Sequence, residues 1–243
     1  MRHLAVLGGA GGIGRALVAR ALSDGWRVSV LDLPASLARH PVPTSVRAIA
    51  VDGSDAASVA SAFGALGESL DGFVNLAGFV NRLAPIVQTD VDEWDEALAG
   101  NLRTAFLTAR AALPLLAKGE RPAMVQMVSG LAAFTRPGYA PYAASKAAMI
   151  SLTKTLALEA APAVRVNAVG PAAVDTAFLR GGTGRSNEDR TPHVDMAAYT
   201  AMIPLKRFAQ PADVVGPVMF LLGPDSGYMT GQVLWVNGGQ FMP

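Results

Sequence analysis

The stretch AVLGGAGGIGRAL, from Ala5 to Leu17, puts an apolar strand, five glycines and the opening of a helix side by side. A strand ending near Gly8 and a helix beginning by Gly14 leave a turn almost without side chains, so its backbone can come close to a charged ligand. Free N–H groups at a helix start, together with the positive end of the helix dipole, favour an anion such as a pyrophosphate. Gly8, Gly12 and Gly14, with Ile13 between the last two, are therefore candidate cofactor contacts. The alternative is a glycine-rich turn that binds nothing.

Outward from this turn the alternation continues. HLAVLG (3–8), RVSVLDL (27–33), VRAIAVD (46–52), GFVNLAG (72–78), AMVQMVS (123–129), VRVNAVG (164–170) and QVLWVNGG (232–239) read as seven strands with helix-length segments between them. Near-continuous apolar strands separated by helices belong to a parallel sheet covered on both faces. The expected fold is a single-domain α/β Rossmann fold, a doubly wound seven-stranded parallel sheet with helices on both faces. The 243 residues suit one domain with a sizeable core.

Other signals place individual elements. Asp90, with Glu93 three residues on, is a capping-box pattern ahead of a segment, 91–117, long enough for one extended helix. Pro141 suits the first turn of another helix, since it has no N–H to lose there. The region 177–202, with glycines, polar residues and a proline after a strand end, is expected to be a mobile loop or lid that governs the substrate, the plain alternative being a surface excursion.

Composition narrows the function. The chain is 51% apolar and 16% charged, which excludes disorder and points to surface buried between subunits as well as within one. Net charge is +1 and no basic run exceeds Lys206 and Arg207, so neither nucleic acid nor a membrane surface is an expected partner. There is no cysteine, and His3, His40 and His193 lack ligand spacing, so no metal is expected. No apolar run approaches the roughly 18 residues of a membrane span, and the expected setting is cytoplasmic.

Asp32 closes the second strand 18 residues after Gly14, near the spacing at which a carboxylate meets the ribose hydroxyls of a dinucleotide. It would accept hydrogen bonds from NAD but repel the 2′-phosphate of NADP, so NAD is preferred and NADP is the lesser option. Arg15, Arg39 and His40 are the nearest cations that could reverse this preference. A turn residue before Pro34 is the alternative reading of Asp32.

RPGYAPYAASKAAM (136–149) holds two tyrosines and one lysine. If Pro141 opens a helix, Tyr142 and Lys146 are i and i+4, about 6 Å apart along the axis, whereas Tyr139 would be about 10.5 Å away. Tyr142 is thus the partner of Lys146. A phenol titrates near 10, and a cation at about 4 Å is worth on the order of 4 kcal/mol, or about three pKa units, in favour of phenolate. Such a phenol could exchange a proton with an alcohol or ketone as hydride leaves or arrives. A surface helix pair is the other reading.

Ser129 stands 13 residues before Tyr142 at a strand end. This serine, the YxxxK pattern, the glycine loop and NLAG (75–78) together resemble the short-chain dehydrogenase/reductase family. VD at 51–52, GNLRTAF with Asn101, VNAVGP (166–171), IPLKRFAQPADV (203–214) and TGQVLWVNGG (230–239) extend the resemblance over essentially the whole chain.

The resemblance implies that Ser129 polarises the substrate oxygen, Lys146 also binds the nicotinamide ribose, and Asn101 holds a proton-passing water, which would explain an Asn inside a long helix. The bland alternative is an Asn facing water. The resemblance also places cofactor contacts at Leu33, Asp52, Gly53, Asn75, Ala77, Gly78, Pro171, Val174 and Thr176, and at Tyr142 and Lys146 themselves. Tyr139, with Leu131, Phe134, Ala172 and Phe178, is assigned to the substrate pocket, a packing role being the alternative for Tyr139. Arg136, Arg180, Arg185 and His193 are candidates to meet a substrate anion.

Three positions depart from the family pattern. Leu7 replaces a threonine, Leu76 an asparagine, and Ala172 a glycine whose position could require positive φ. The expected activity is NAD-dependent interconversion of a secondary alcohol and a ketone. An NADPH-dependent 3-oxoacyl-carrier-protein or carbonyl reductase, and a dinucleotide-binding protein without turnover, are the alternatives. The resemblance further implies a homotetramer.

Overall fold

The computed structural model describes residues 1–185, 188, 191 and 195–242. Seven strands form one parallel sheet in the order β3-β2-β1-β4-β5-β6-β7. They are β1 (His3–Leu7), β2 (Arg27–Asp32), β3 (Arg47–Ala50), β4 (Gly72–Asn75), β5 (Ala123–Met127), β6 (Arg165–Pro171) and β7 (Val233–Val236). Helices α1 (Gly12–Ser23), α2 (Pro34–Arg39), α3 (Ala56–Gly64), α4 (Val91–Leu98), α5 (Thr104–Leu116), α6 (Ala140–Ala160), α7 (Met196–Met202) and α8 (Pro211–Leu222) lie between them.

The period-two geometry of a strand explains why the sheet needs helices on both sides. In β1, Leu4 and Val6 pack with Val28, Val30 and Val125 against Leu17 and Val18 of α1 and Val214 and Val218 of α8. Ala5 and Leu7 point the other way, with Phe73 and Met124, onto Phe63 of α3, Leu116 of α5 and Leu156 of α6. Leu17 and Leu116 are fully buried, and each such side chain contributes about 1.5–3 kcal/mol relative to exposure.

The extended helix expected over 91–117 is contiguous from α4 through α5 but does not keep one period. Glu93 accepts the Asp90 N–H at 3.3 Å to open it, and between α4 and α5 the backbone widens into a π-turn at Ala99–Arg103. Such bulges appear as single turns inside α-helices, frequently at functional sites. Here the bulge carries Asn101, which is fully buried, so the reading of a residue merely facing water does not hold.

The region 177–202 is not one irregular loop. It holds a 3-10 turn at Ala177–Arg180 and α7, whose N-cap Asp195 accepts from the N–H groups of Ala197 and Ala198. His193 lies outside the described residues, as do positions 186–187, 189–190, 192 and 194 of the expected lid.

Candidate active site

Strand order reverses between β1 and β4, where the connections leave toward opposite faces and open a crevice at the carboxyl ends of the strands. A cleft there is lined by Gly8, Gly12, Ile13, Gly14, Asp32, Leu33, Asp52, Gly53, Ala77 and Gly78, and further along by Ser129, Tyr142, Lys146, Pro171, Val174 and Thr176.

The glycine turn is a cradle that side chains would fill. A Cβ on Gly14 would run into the Gly8 carbonyl oxygen, and one on Gly12 would stand 2.6 Å from Thr176 Cγ2. Gly8 itself holds φ +80°, which glycine adopts without strain. The N-cap of α1 is Gly11, which supplies no side-chain acceptor, so the first N–H groups of the helix remain for an anion. These features fit the pyrophosphate of a dinucleotide, and the missing threonine hydroxyl at Leu7 leaves the turn intact, closed by Gly11 N–H to Gly8 O at 3.2 Å.

Asp32 is tied to that turn. One carboxylate oxygen accepts the Ala10 N–H at 2.9 Å and the other accepts the Leu33 N–H at 2.8 Å. Burial pushes its pKa up, and these two bonds and the Ser36 hydroxyl pull against the rise. Asp52 is exposed and held low by the Ser54 hydroxyl, which donates to it at 2.7 Å.

Asn75 and Asn101 do not line the cleft, so a direct cofactor contact by Asn75 is not what the geometry offers. Asn75 donates to Gln126 Oε1 at 2.9 Å and accepts the Ala77 N–H at 3.0 Å, so it acts on the loop after β4. Asn101 accepts the Phe79 N–H, donates to the Phe79 carbonyl and donates to Ala97 O at 2.9 Å. Its Oδ1 and Lys146 Nζ converge on Gly78, where an added Cβ would sit 2.6 and 3.0 Å from them.

Pro141 stands in the first turn of α6 and Tyr139 is its N-cap, which puts Tyr142 and Lys146 on one face. Both are nearly fully buried. Lys146 Nζ lies 5.8 Å from the Tyr142 ring centroid and donates to Met127 O at 2.9 Å. Ser129, two residues beyond β5 and at the N-cap of the following 3-10 turn, shares a hydrogen bond with the phenol and accepts the Leu131 N–H at 3.2 Å.

The electrostatics differ from the sequence expectation. Rather than being made acidic by a fixed lysine charge, the Tyr142 phenol is pushed up to about 12 by burial, with only the Ser129 hydrogen bond opposing. The same burial brings Lys146 down to about 7. Removing both groups from water disfavours the charged form of each, which opposes the pull that a lysine charge would exert on the phenol.

Beyond this trio the cleft becomes aromatic. Leu131, Phe134, Tyr139, Ala172 and Phe178 line it, joined by Arg136, Tyr199, Gln240 and Phe241. Phe178 lies 6.0 Å from the Tyr142 ring, and Phe134 stacks on Phe241 at 6.4 Å. Ala172 keeps an ordinary backbone, since the non-glycine residues with positive φ among those described are Arg121 and Lys206. Tyr199, Gln240 and Phe241 have no local sequence signal, being delivered from α7 and the C-terminal segment by tertiary packing alone. Of the candidate anion contacts, Arg185 pairs with Glu96 at 3.2 Å and Arg180 with Asp175 at 3.9 Å.

With this geometry in place, relatives are informative. Residues 8–240 match the family model described as enoyl-(acyl carrier protein) reductase. The chain is 36% identical over 245 residues to 4-formylbenzenesulfonate dehydrogenase of Comamonas testosteroni, covering 97% of this chain and 96% of that protein. It is 30% identical over 246 residues to 2-(S)-hydroxypropyl-CoM dehydrogenase 3 of Xanthobacter autotrophicus, with 97% and 95% covered. The crystal structure of a 3-ketoacyl-(acyl-carrier-protein) reductase from Brucella melitensis complexed with NADH superposes with a TM-score of 0.88 at 27% identity, over 99% of this chain and 98% of that one. The chain belongs to the short-chain dehydrogenase/reductase family. It is an oxidoreductase of CH–OH groups that uses a nicotinamide dinucleotide.

Proposed function

We propose that the protein is an NAD-preferring dehydrogenase that interconverts a secondary alcohol and a ketone by direct hydride transfer, with Tyr142 as general acid and base. The observation that carries this is the meeting of Tyr142, Ser129 and Lys146 in one cleft with the glycine cradle. An oxidised nicotinamide, when bound, supplies the hydride acceptor and a positive charge. Ser129 holds the substrate oxygen beside the phenol. Tyr142 takes the hydroxyl proton in one direction and returns it in the other. Lys146 binds the ribose, and Asn101, facing it across Gly78, anchors the route by which that proton reaches water.

Asp32 supports NAD, because a carboxylate closing β2 would repel a 2′-phosphate bound beside it. Arg15 donates to Ala10 O at 2.8 Å and His40 pairs with Glu188 at 2.9 Å, so both are otherwise engaged. Likeness to the Brucella reductase favours a second reading, reduction of a 3-oxoacyl thioester, in which the same residues act in the opposite direction. The decisive experiment is Tyr142→Phe. Turnover should fall about 10²- to 10⁴-fold, the usual weight of a positioned acid–base group, while NADH binding followed by fluorescence is retained. Turnover near the wild-type rate would overturn the mechanism, and binding without any turnover in the wild type would leave only a dinucleotide-binding role.

A homotetramer is the assembly we propose. Phe106 on α5 and Leu158 on α6 are 48% and 81% exposed, and β7 ends the sheet with an unpaired edge, which proteins usually cover. Light scattering at a tetramer mass is the expected result, and a monomer would refute it.

A further inference from the structure

We propose that the substrate end of the cleft is an anion subsite built on Arg136, and that the substrate is an aryl alcohol or ketone bearing a carboxylate or sulfonate. This deepens the oxidoreductase reading above and rests on it. The carboxylates in the cleft lining are Asp32 and Asp52, the latter facing the Arg185 charge, whereas Arg136 lines the cleft among the rings of Phe134 and Tyr199.

Arg136 is held in position without being neutralised. Its guanidinium carbon lies 4.8 Å from the Tyr199 ring and 5.6 Å from the Phe134 ring, contacts that orient a cation but leave its N–H donors available. Among the described residues no carboxylate pairs with it.

A second donor waits beside it. Gln240 accepts the Tyr199 hydroxyl at 3.1 Å through Oε1, while its Nε2 is buried with no partner among the described residues. A buried amide N–H left unpaired is costly, and an acceptor atom on a ligand would remove that cost. The same lining holds Leu131, Phe134, Phe178 and Phe241, flat and apolar surfaces that suit an aromatic body. An oxyanion gripped at the far end by a planar fork of donors would then fix which carbon faces the phenol.

The test compares 4-acetylbenzoate and 4-acetylbenzenesulfonate with the methyl ester of 4-acetylbenzoate, in the wild type, Arg136→Met and Arg136→Lys. Wild type should favour the anions over the ester in kcat/KM. In Arg136→Met that preference should drop about 10- to 100-fold, the weight of a charge-assisted hydrogen bond, mostly through KM, with partial recovery in Arg136→Lys. Equilibrium binding of 4-acetylbenzoate to the NADH-loaded protein, measured by calorimetry, should weaken by the same factor and does not depend on turnover. Equal treatment of anion and ester by the wild type, an equal loss for both in Arg136→Met, or strong preference for a 3-oxoacyl thioester would overturn the subsite. Failure of the oxidoreductase reading has a different signature, since it shows as absent turnover with every alcohol and ketone while the anion still binds through Arg136.

Discussion

Two buried ionisable sites sit in one cleft and are treated differently by the fold. At the end of β2, Asp32 is partly buried, but two backbone N–H groups and the Ser36 hydroxyl meet its oxygens and oppose the cost. On α6, burial acts on Lys146 unopposed, and on Tyr142 against one serine hydrogen bond. A charge matched by fixed donors stays in one state and serves recognition. Without such compensation burial favours the neutral forms, which leaves Lys146 near a change of state and holds Tyr142 as a proton-bearing phenol.

Lys146 offers the larger way to break this contrast. Its folded pKa of about 7 lies below the unfolded value of 10.5, so the folded protein carries the full cost of burying an ammonium below pH 7. That cost fades as pH rises from 7 toward 10.5, because in this window the folded amine is neutral while the unfolded one still holds a proton that becomes progressively easier to lose. Tyr142, raised to about 12, stays a phenol in both states below pH 10 and adds nothing in this window. The cofactor-free protein should therefore gain on the order of 3 kcal/mol between pH 7 and 9.5, seen as a Tm higher by several degrees. Lys146→Met should flatten that rise, and an unchanged slope in the variant would show that Lys146 is not the group responsible.

Asp32→Ala is the smaller test. It removes the acceptor proposed for the ribose together with the partner of the Ala10 N–H, so NAD should bind about 10- to 100-fold more weakly. NADP should lose far less, because like-charge repulsion goes with the carboxylate. Initial rates with both cofactors measure this, and equal losses would mean that Asp32 only shapes the turn.

Much of the site was legible because its chemistry is carried by short local spacings. The glycine turn lies within one strand-to-helix connection, Tyr142 and Lys146 are one helical turn apart, and Ser129 ends a strand whose apolar pattern is plain. Asn101 was legible as an anomaly inside a helix, but not as the centre of a π-turn that bonds Phe79, since that partner is 22 residues away. Tyr199, Gln240 and Phe241 were silent, because nothing in their neighbourhoods distinguishes a cleft wall from core.

What the amino-acid order determined alone is the alternation of strands and helices and the side chains that share a helix face, both consequences of periods of about two and 3.6 residues. What only the tertiary structure decided is the charge each side chain can hold. A pKa depends on how much water is excluded and which dipoles remain nearby, and those are set by segments distant in sequence. Sequence thus names Tyr142 and Lys146 as partners, while packing pushes the phenol up and the amine down.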